Sequence, residues 1–350
     1  MSLSSGDVVD HRYVIEREIG RGGMGVVYLA HDQDGKPIAI KTLTFPPQVD
    51  VSARSPNYQR FIRELDVLSR VQHTNIVRFI AGGRQPTDRT GTLLWLAQEY
   101  IPGPTLYQQI AAAPGRIPVA KVVRWMCQLF DALGVLHASD FQHRDLKPGN
   151  IIFLTEDDVP KLIDFGVASS KQWRRLTKQM TAMGTFDYMS PEQLDPSVDE
   201  DPVPEGKTDR GLSRTVIDAR TDIYTLGYIA WETLVGRRPF EATPGASLSE
   251  QLMQRRAFVV PPVHEVRPDV PEELSELIGK LLEPDREKRI QTAVNAALQF
   301  HRVARLLVER NRPRIIRNIT DATPLLASTG VSIDAVPDDD DEAPPPLTKL

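Results

Sequence analysis

The chain has 350 residues, 41% of them hydrophobic, with 42 Lys and Arg against 47 Asp and Glu and one cysteine. A net charge of −5 gives no electrostatic footing for nucleic acid, a lone cysteine excludes an internal disulfide framework and fits a reducing compartment, and no apolar run approaches the roughly 18 residues of a membrane span. Met1–Asp7 is no signal peptide, so a soluble cytoplasmic protein of one two-lobed domain is expected.

After an N-terminal extension over residues 1–10, Tyr13–Ile19 reads as a strand, followed by the glycine-rich Gly20-Arg21-Gly22-Gly23-Met24-Gly25. G-x-G-x-x-G spacing alone also fits a dinucleotide-binding turn, but that turn opens a helix, whereas Val26-Val27-Tyr28-Leu29-Ala30 is β-branched and aromatic and predicts a second strand. The loop is therefore the tip of a hairpin, where glycine lets backbone approach phosphate closely. Ile38-Ala39-Ile40-Lys41 predicts a third strand. Phe61, Leu65 and Leu68 fall on one helical face with Glu64 beside it.

Leu93–Ile101 reads as a further strand running into a connection. Pro118 opens a helix ending near His137, with Val122, Val123, Met126, Leu129, Phe130 and Leu133 as its core face and Cys127 as a core residue rather than a nucleophile. A buried helix begins at Asp222 and stops at Gly236, and Leu274, Leu277, Ile278 and Leu281, then Val294, Ala297 and Leu298, are expected core positions. Residues 195–218 hold an acidic, proline-rich insertion expected to be a surface loop, and 311–350 end in Asp338-Asp339-Asp340-Asp341-Glu342 and three prolines, expected to be a disordered tail.

The chemistry concentrates in His143-Arg144-Asp145-Leu146-Lys147-Pro148-Gly149-Asn150, followed fourteen positions past its last residue by Asp164-Phe165-Gly166. Phosphoryl transfer gathers negative charge between an attacking and a leaving oxygen, so a protein must position both and supply cations. Asp145 is suited to orient a hydroxyl proton and Lys147 to follow a moving phosphate oxygen. Asn150 and Asp164 are hard oxygen ligands of the kind Mg²⁺ takes.

These runs resemble the H-R-D-L-x-x-x-N and D-F-G motifs of eukaryotic-type (Hanks-type) serine/threonine protein kinases, most similarly the bacterial members, and Ile38–Lys41 resembles V-A-I-K. The resemblance covers about residues 11–310. It implies an α+β fold of two lobes: a small antiparallel sheet with one helix over about 11–100, and a larger, mainly helical lobe over about 101–310. It implies ATP and Mg²⁺ as cofactors, with Mn²⁺ an alternative, and protein substrates. Lys41, paired with Glu64, would face the α- and β-phosphates. Asp145 and Lys147 would serve catalysis, and Asn150 and Asp164 would hold the metal. Ile19, Gly20, Arg21, Gly22, Gly23, Met24, Gly25, Val27, Ala39, Gln98, Glu99, Ile101 and Ile152 would line the ATP site, with Gln98 a polar gatekeeper.

By the same resemblance Leu68, Phe79, His143 and Phe165 would stack between the lobes, Asp222 would tie its helix to the catalytic loop, and Arg289 would pair with Glu192 of Ser190-Pro191-Glu192. Arg144 before the base implies an activation loop ordered by phosphorylation, with Thr177 and Thr181 as self-phosphorylated sites in a transient homodimer and Thr185 contacting Lys147 and Asp145. Pro102-Gly103-Pro104-Thr105 and Gly149 lack the carboxylates that commonly anchor substrate arginines. Two other readings are a catalytically silent scaffold, which usually loses Lys41, Asp145 or Asp164, and a small-molecule phosphotransferase of related fold, which commonly lacks the Ser-Pro-Glu segment.

Overall fold

The computed structural model describes residues 3–22, 25–43, 56–87, 91–155, 157–165, 186–195, 217–241, 243 and 245–311. Gly23, Met24, Gly166, Thr177, Thr181, Thr185, most of the acidic insertion and residues 312–350 lie outside them. The chain divides into one unit over Met1–Leu307 and a second over Val308–Leu350, of which only the end of a helix is described.

The first unit opens with six strands, β1 (Val8–Val9), β2 (Tyr13–Gly22), β3 (Gly25–His31), β4 (Pro37–Leu43), β5 (Phe79–Thr87) and β6 (Gly91–Glu99), in one antiparallel sheet of order β1-β2-β3-β4-β6-β5. Alternation sorts its two faces. Ile38 and Ile40 join Val26, Tyr28, Leu93 and Trp95 in a cluster on one side, while Leu43, Leu94 and Leu96 belong to the main core on the other. The one helix among the described residues of this lobe, α1 (Pro56–Arg70), brings Phe61 and Leu68 to that main core, as their spacing predicts.

The rest is mainly helical: α2 (Leu106–Ala112), α3 (Val119–Ala138), α4 (Pro191–Leu194), α5 (Arg220–Val235), α6 (Leu248–Ala257), α7 (Val263–Val266), α8 (Glu272–Leu281) and α9 (Ala293–Asn311). Between α3 and α4 a short hairpin, β7 (Ile151–Leu154) and β8 (Val159–Leu162), joins the two catalytic motifs. The expected face of α3 is buried throughout, and burial pushes the Cys127 thiol up to about 12, leaving it a core thiol. Helix α5 is buried along nearly its whole length and ends on Gly236 in the left-handed conformation, φ 82°.

Leu274, Leu277, Ile278 and Leu281 are core residues, but one expectation for the last helix needs correction. Val294 and Leu298 are 55% and 61% exposed. Helix α9 instead turns Ala293, Ala296, Ala297, Phe300 and Val303 inward, a run of i, i+3, i+4 and i+7 that small alanines had hidden beside the larger Val294 and Leu298.

Candidate active site

Lys41 lies on β4, whose period of two puts Ala39, Lys41 and Leu43 on one face. Register sets Val27 opposite Lys41, and Gln98 and Leu96 opposite Ala39 and Lys41, so Val27, Ala39, Lys41 and Gln98 share one wall of the cleft between the lobes. From this wall Lys41 Nζ donates to Glu64 Oε1 at 2.9 Å and Oε2 at 3.2 Å, and to Asp164 Oδ1 at 2.8 Å. A strand, a helix and the loop after β8 therefore meet on one ammonium group. Burial alone would push that ammonium down, but the carboxylates of Asp164 and Glu64 outweigh it and hold Lys41 above its ordinary range. Lys41 in turn holds Asp164 below the usual carboxylate range against its own burial.

The glycine-rich segment is the hairpin tip expected, with Gly22 opposite Gly25. Only Gly25 there demands glycine by conformation among the described residues. Its φ is 133°, and a Cβ would meet the Thr42 carbonyl oxygen at 1.9 Å. Gly20 has room for a side chain, its nearest contact being Val27 Cβ at 3.9 Å. Ile19 and Arg21 are exposed or partly so at the rim.

The second wall is the loop from His143 to Asn150. Its backbone is shaped by Asp222 of α5, which accepts the N–H groups of His143 and Arg144, both at 2.8 Å, and faces His137 Nε2 at 2.9 Å. Those bonds hold Asp222 below its usual range although burial works the other way. They also support the left-handed φ of 61° at Arg144, a conformation that a non-glycine residue adopts at a cost. Downstream, Lys147 Nζ donates to Asp145 Oδ2 at 2.9 Å, and Asn150 Nδ2 donates to the Asp145 carbonyl at 2.8 Å. Ile163 N–H donates to Asn150 O at 3.0 Å, which sets Asn150 and Asp164 side by side.

Phe165 packs on His143 with ring centroids 5.0 Å apart, and both belong to the buried interior with Leu68, while Phe79 is partly buried against the same core. At the connection between lobes Ile101 and Gln98 are buried, Ile152 is half-buried, and the Glu99 carboxylate accepts from Lys161 Nζ at 2.6 Å and from Arg78 N–H at 2.8 Å. Glu192 and Arg289 form two parallel hydrogen bonds, 2.7 and 3.1 Å, fully inside the larger lobe.

Sequence reasoning did not find three participants. Lys161 sits in a four-residue strand, Glu232 in a buried helix, and Arg255 on a largely polar one, where charged residues read as solvent-facing. Tyr188 O–H donates to Glu232 Oε1 at 3.1 Å, and burial raises Glu232. Gly149 has open space where a Cβ would stand, so nothing steric keeps a carboxylate away from it.

A sequence profile described as the protein kinase domain matches residues 13–301. The serine/threonine-protein kinase PrkC of Bacillus subtilis is 30% identical over 289 residues, covering 82% of this chain and 40% of that protein. The serine/threonine-protein kinase PknB of Mycolicibacterium smegmatis is 31% identical over 323 residues, covering 91% of this chain and 46% of that one. The chain thus spans less than half the length of these relatives. A crystal structure of a double mutant of the Mycobacterium tuberculosis PknI kinase domain superposes with a TM-score of 0.60 at 24% identity, covering 87% of this chain and all of that domain, which shows the shared fold.

Proposed function

This chain belongs to the protein kinase family, in its bacterial Hanks-type serine/threonine branch, and we propose that it transfers the γ-phosphate of ATP to serine and threonine hydroxyls of proteins. The observation that carries this reading is the three-way contact of Lys41 with Glu64 and Asp164, because it aligns a phosphate-facing cation with a metal-ligating carboxylate in one cleft.

The family uses ATP and a divalent metal, and the donor set suits Mg²⁺. Asn150 commits its Nδ2 to the Asp145 carbonyl, which leaves the amide oxygen as its ligand atom, and Asp164 keeps a second carboxylate oxygen beyond the one that Lys41 holds. Among the described residues no cluster of three or more His, Cys, Asp or Glu could hold a metal ion, so phosphate oxygens and water would complete the shell, as Mg²⁺ prefers. Bound there, the ion would neutralise charge between the β- and γ-phosphates.

Asp145 accepts or orients the proton of the acceptor hydroxyl. Lys147, held 2.9 Å from Asp145, would follow the transferring group. Adenine would lie against Val27, Ala39 and Ile152, with backbone groups of Glu99 and Ile101 at its edge, and the segment Ile19–Gly25 would cover the phosphates. In the described residues no helix is long and apolar enough to cross a membrane.

Self-phosphorylation at Thr177 and Thr181, through a transient pair of chains, is the regulatory part of the proposal. It rests on Arg144, whose Nη2 reaches Gln142 at 3.0 Å and whose Nε is buried without a partner, beside the base it precedes. Mass spectrometry after incubation with Mg-ATP is expected to find phosphate on one or both threonines in wild type and on neither in Asp145→Asn. Full activity in the Thr177→Ala, Thr181→Ala double variant would remove this part alone.

A further inference from the structure

The two residues proposed as metal ligands bracket one hairpin: Asn150 immediately precedes β7, and β8 ends two residues before Asp164. With Ile151 opposite Leu162 and the Ile163 N–H bonded to the Asn150 carbonyl, the register of these short strands fixes where Asn150 and Asp164 stand relative to each other. A slip of one residue would carry one ligand along its strand by about 3.3 Å and turn its side chain over, too much for an ion that demands near-octahedral geometry. A two-stranded hairpin is marginal by itself. Its outer edges are tied to different segments. The Phe153 N–H donates to the Pro104 carbonyl at 3.0 Å, while on the other edge the Leu162 N–H donates to the Asn75 carbonyl at 2.8 Å and the Leu162 carbonyl accepts from the Val77 N–H at 3.0 Å. Neither tie reaches the turn, which sets register in a hairpin.

The turn is held from α3. It ends in Asp158, a non-glycine residue at φ 53°, a conformation adopted at a cost. Trp125 of α3, fully buried, donates its indole N–H to the Asp158 carbonyl at 3.1 Å and to Asp158 Oδ2 at 3.2 Å. Its ring packs on Phe153 of β7, with ring centroids 4.4 Å apart. Arg124 and Lys121 reach the same carboxylate at 2.6 and 3.1 Å, but both are partly exposed, where ion pairs contribute little, so the buried indole is the stronger anchor. One side chain thus grips β7 and the entry to β8 at the end of the hairpin opposite Asn150 and Asp164. An apolar ring would serve the packing on Phe153 as well, and the N–H is the part that packing does not need. We infer that Trp125 is a positioning residue for the divalent metal: its N–H holds the turn in register and thereby sets the spacing of Asn150 and Asp164.

Because the metal site belongs to the proposed kinase function, the test is chosen to separate the two. Binding of Mn²⁺ to the full chain in the presence of a non-hydrolysable ATP analogue is followed by electron paramagnetic resonance for wild type, Trp125→Phe and Phe130→Leu. Phosphate incorporation into myelin basic protein is measured for wild type and Asp164→Asn. Trp125→Phe keeps a ring against Phe153 and removes the N–H, so the Mn²⁺ Kd is expected to rise about fivefold, the effect of one buried hydrogen bond. Phe130→Leu disturbs the same helix where it stacks on Phe300, with centroids 5.2 Å apart, and is expected to leave the Kd unchanged. An unmoved Kd in Trp125→Phe overturns the inference, and so does an equal rise in Phe130→Leu, which would mean that loosening α3 suffices. If Trp125→Phe does not fold, Asp158→Pro decides. Proline forbids φ 53° and withdraws the N–H that Asp158 gives to the Leu154 carbonyl. A rise of about fivefold is again expected, and an unchanged Kd overturns the inference. A wild type that transfers no more phosphate than Asp164→Asn overturns the kinase reading and the role of Trp125 with it, whereas an active wild type with an unmoved Kd in Trp125→Phe overturns the role of Trp125 alone.

Discussion

Lys41 and Asp164 lie 123 residues apart in sequence and 2.8 Å apart in space, and Lys41 keeps Glu64 at 2.9 Å at the same time. One ammonium group thus reports whether α1, β4 and the loop after β8 are all in place. Replacing Lys41 by Met, Asp145 by Asn or Asp164 by Asn is expected to lower phosphate transfer on the order of 10²-fold or more, because in the proposed mechanism each would act on the phosphate, the proton or the metal. Purified variants with Mg-ATP and myelin basic protein provide the measurement, and a variant within tenfold of wild type would remove that residue from the mechanism.

The buried pair of Glu192 and Arg289 predicts a stability effect. Burial would raise Glu192, yet Arg289 holds it below its usual range, so both groups are charged in the fold. Arg289→Ala leaves a buried carboxylate without a cation, held only by neutral donors, the Thr221 hydroxyl at 3.0 Å and a backbone N–H. A loss of about 3–5 kcal/mol is expected. Thermal melting should show a drop of roughly 6 °C or more, and a drop below about 2 °C would mean the lobe relaxes around the gap.

Gln98 is 7% exposed and shares the cleft face with Ala39 and Lys41. Gln98→Gly should open space behind the adenine site and admit bulky pyrazolopyrimidine inhibitors that wild type rejects. An inhibition curve that does not move, in a variant whose ATP KM is retained, would place Gln98 off that wall.

Burial lowers His143 from the ordinary histidine value of 6.5, outweighing the nearby Asp222 and Asp145. Below that value the unfolded chain takes up a proton that the folded chain refuses, so stability should fall as pH falls. Asp222 and Asp164 are held below 3.8 and do not titrate in this window. His73 is also lowered by burial and contributes in the same direction. His143→Phe, which keeps a ring against Phe165, should therefore lose less stability than wild type between about pH 7.5 and 5.5 in denaturant titrations. Equal losses would assign the effect to His73 or elsewhere.

Much of the site was legible because its parts are either local or periodic. The Lys41–Glu64 pair was legible through the resemblance of Ile38–Lys41 to V-A-I-K together with a helix face bracketed by Phe61, Leu65 and Leu68. The Asp222 tie and the Arg289–Glu192 pair were legible through family resemblance, since no spacing rule links positions so far apart. The sheet order, with β6 between β4 and β5, depends on pairings that sequence pattern does not encode. Arg255 and Lys161 were hidden for a different reason. A charged residue on a half-polar element carries no signal of burial until its partners, here the Asp187 and Met189 carbonyls and Glu99, are brought to it by the fold.

Asp222 accepts both amide bonds that shape the loop carrying Asp145, and it is made after every residue that lines the cleft from Gly20 to Asp164. A chain still emerging from the ribosome can therefore own its whole cleft sequence and yet lack an aligned base. The proposed site would therefore be completed only once the central helix of the larger lobe is made, and a chain cut before Asp222 is expected to lack phosphate-transfer activity.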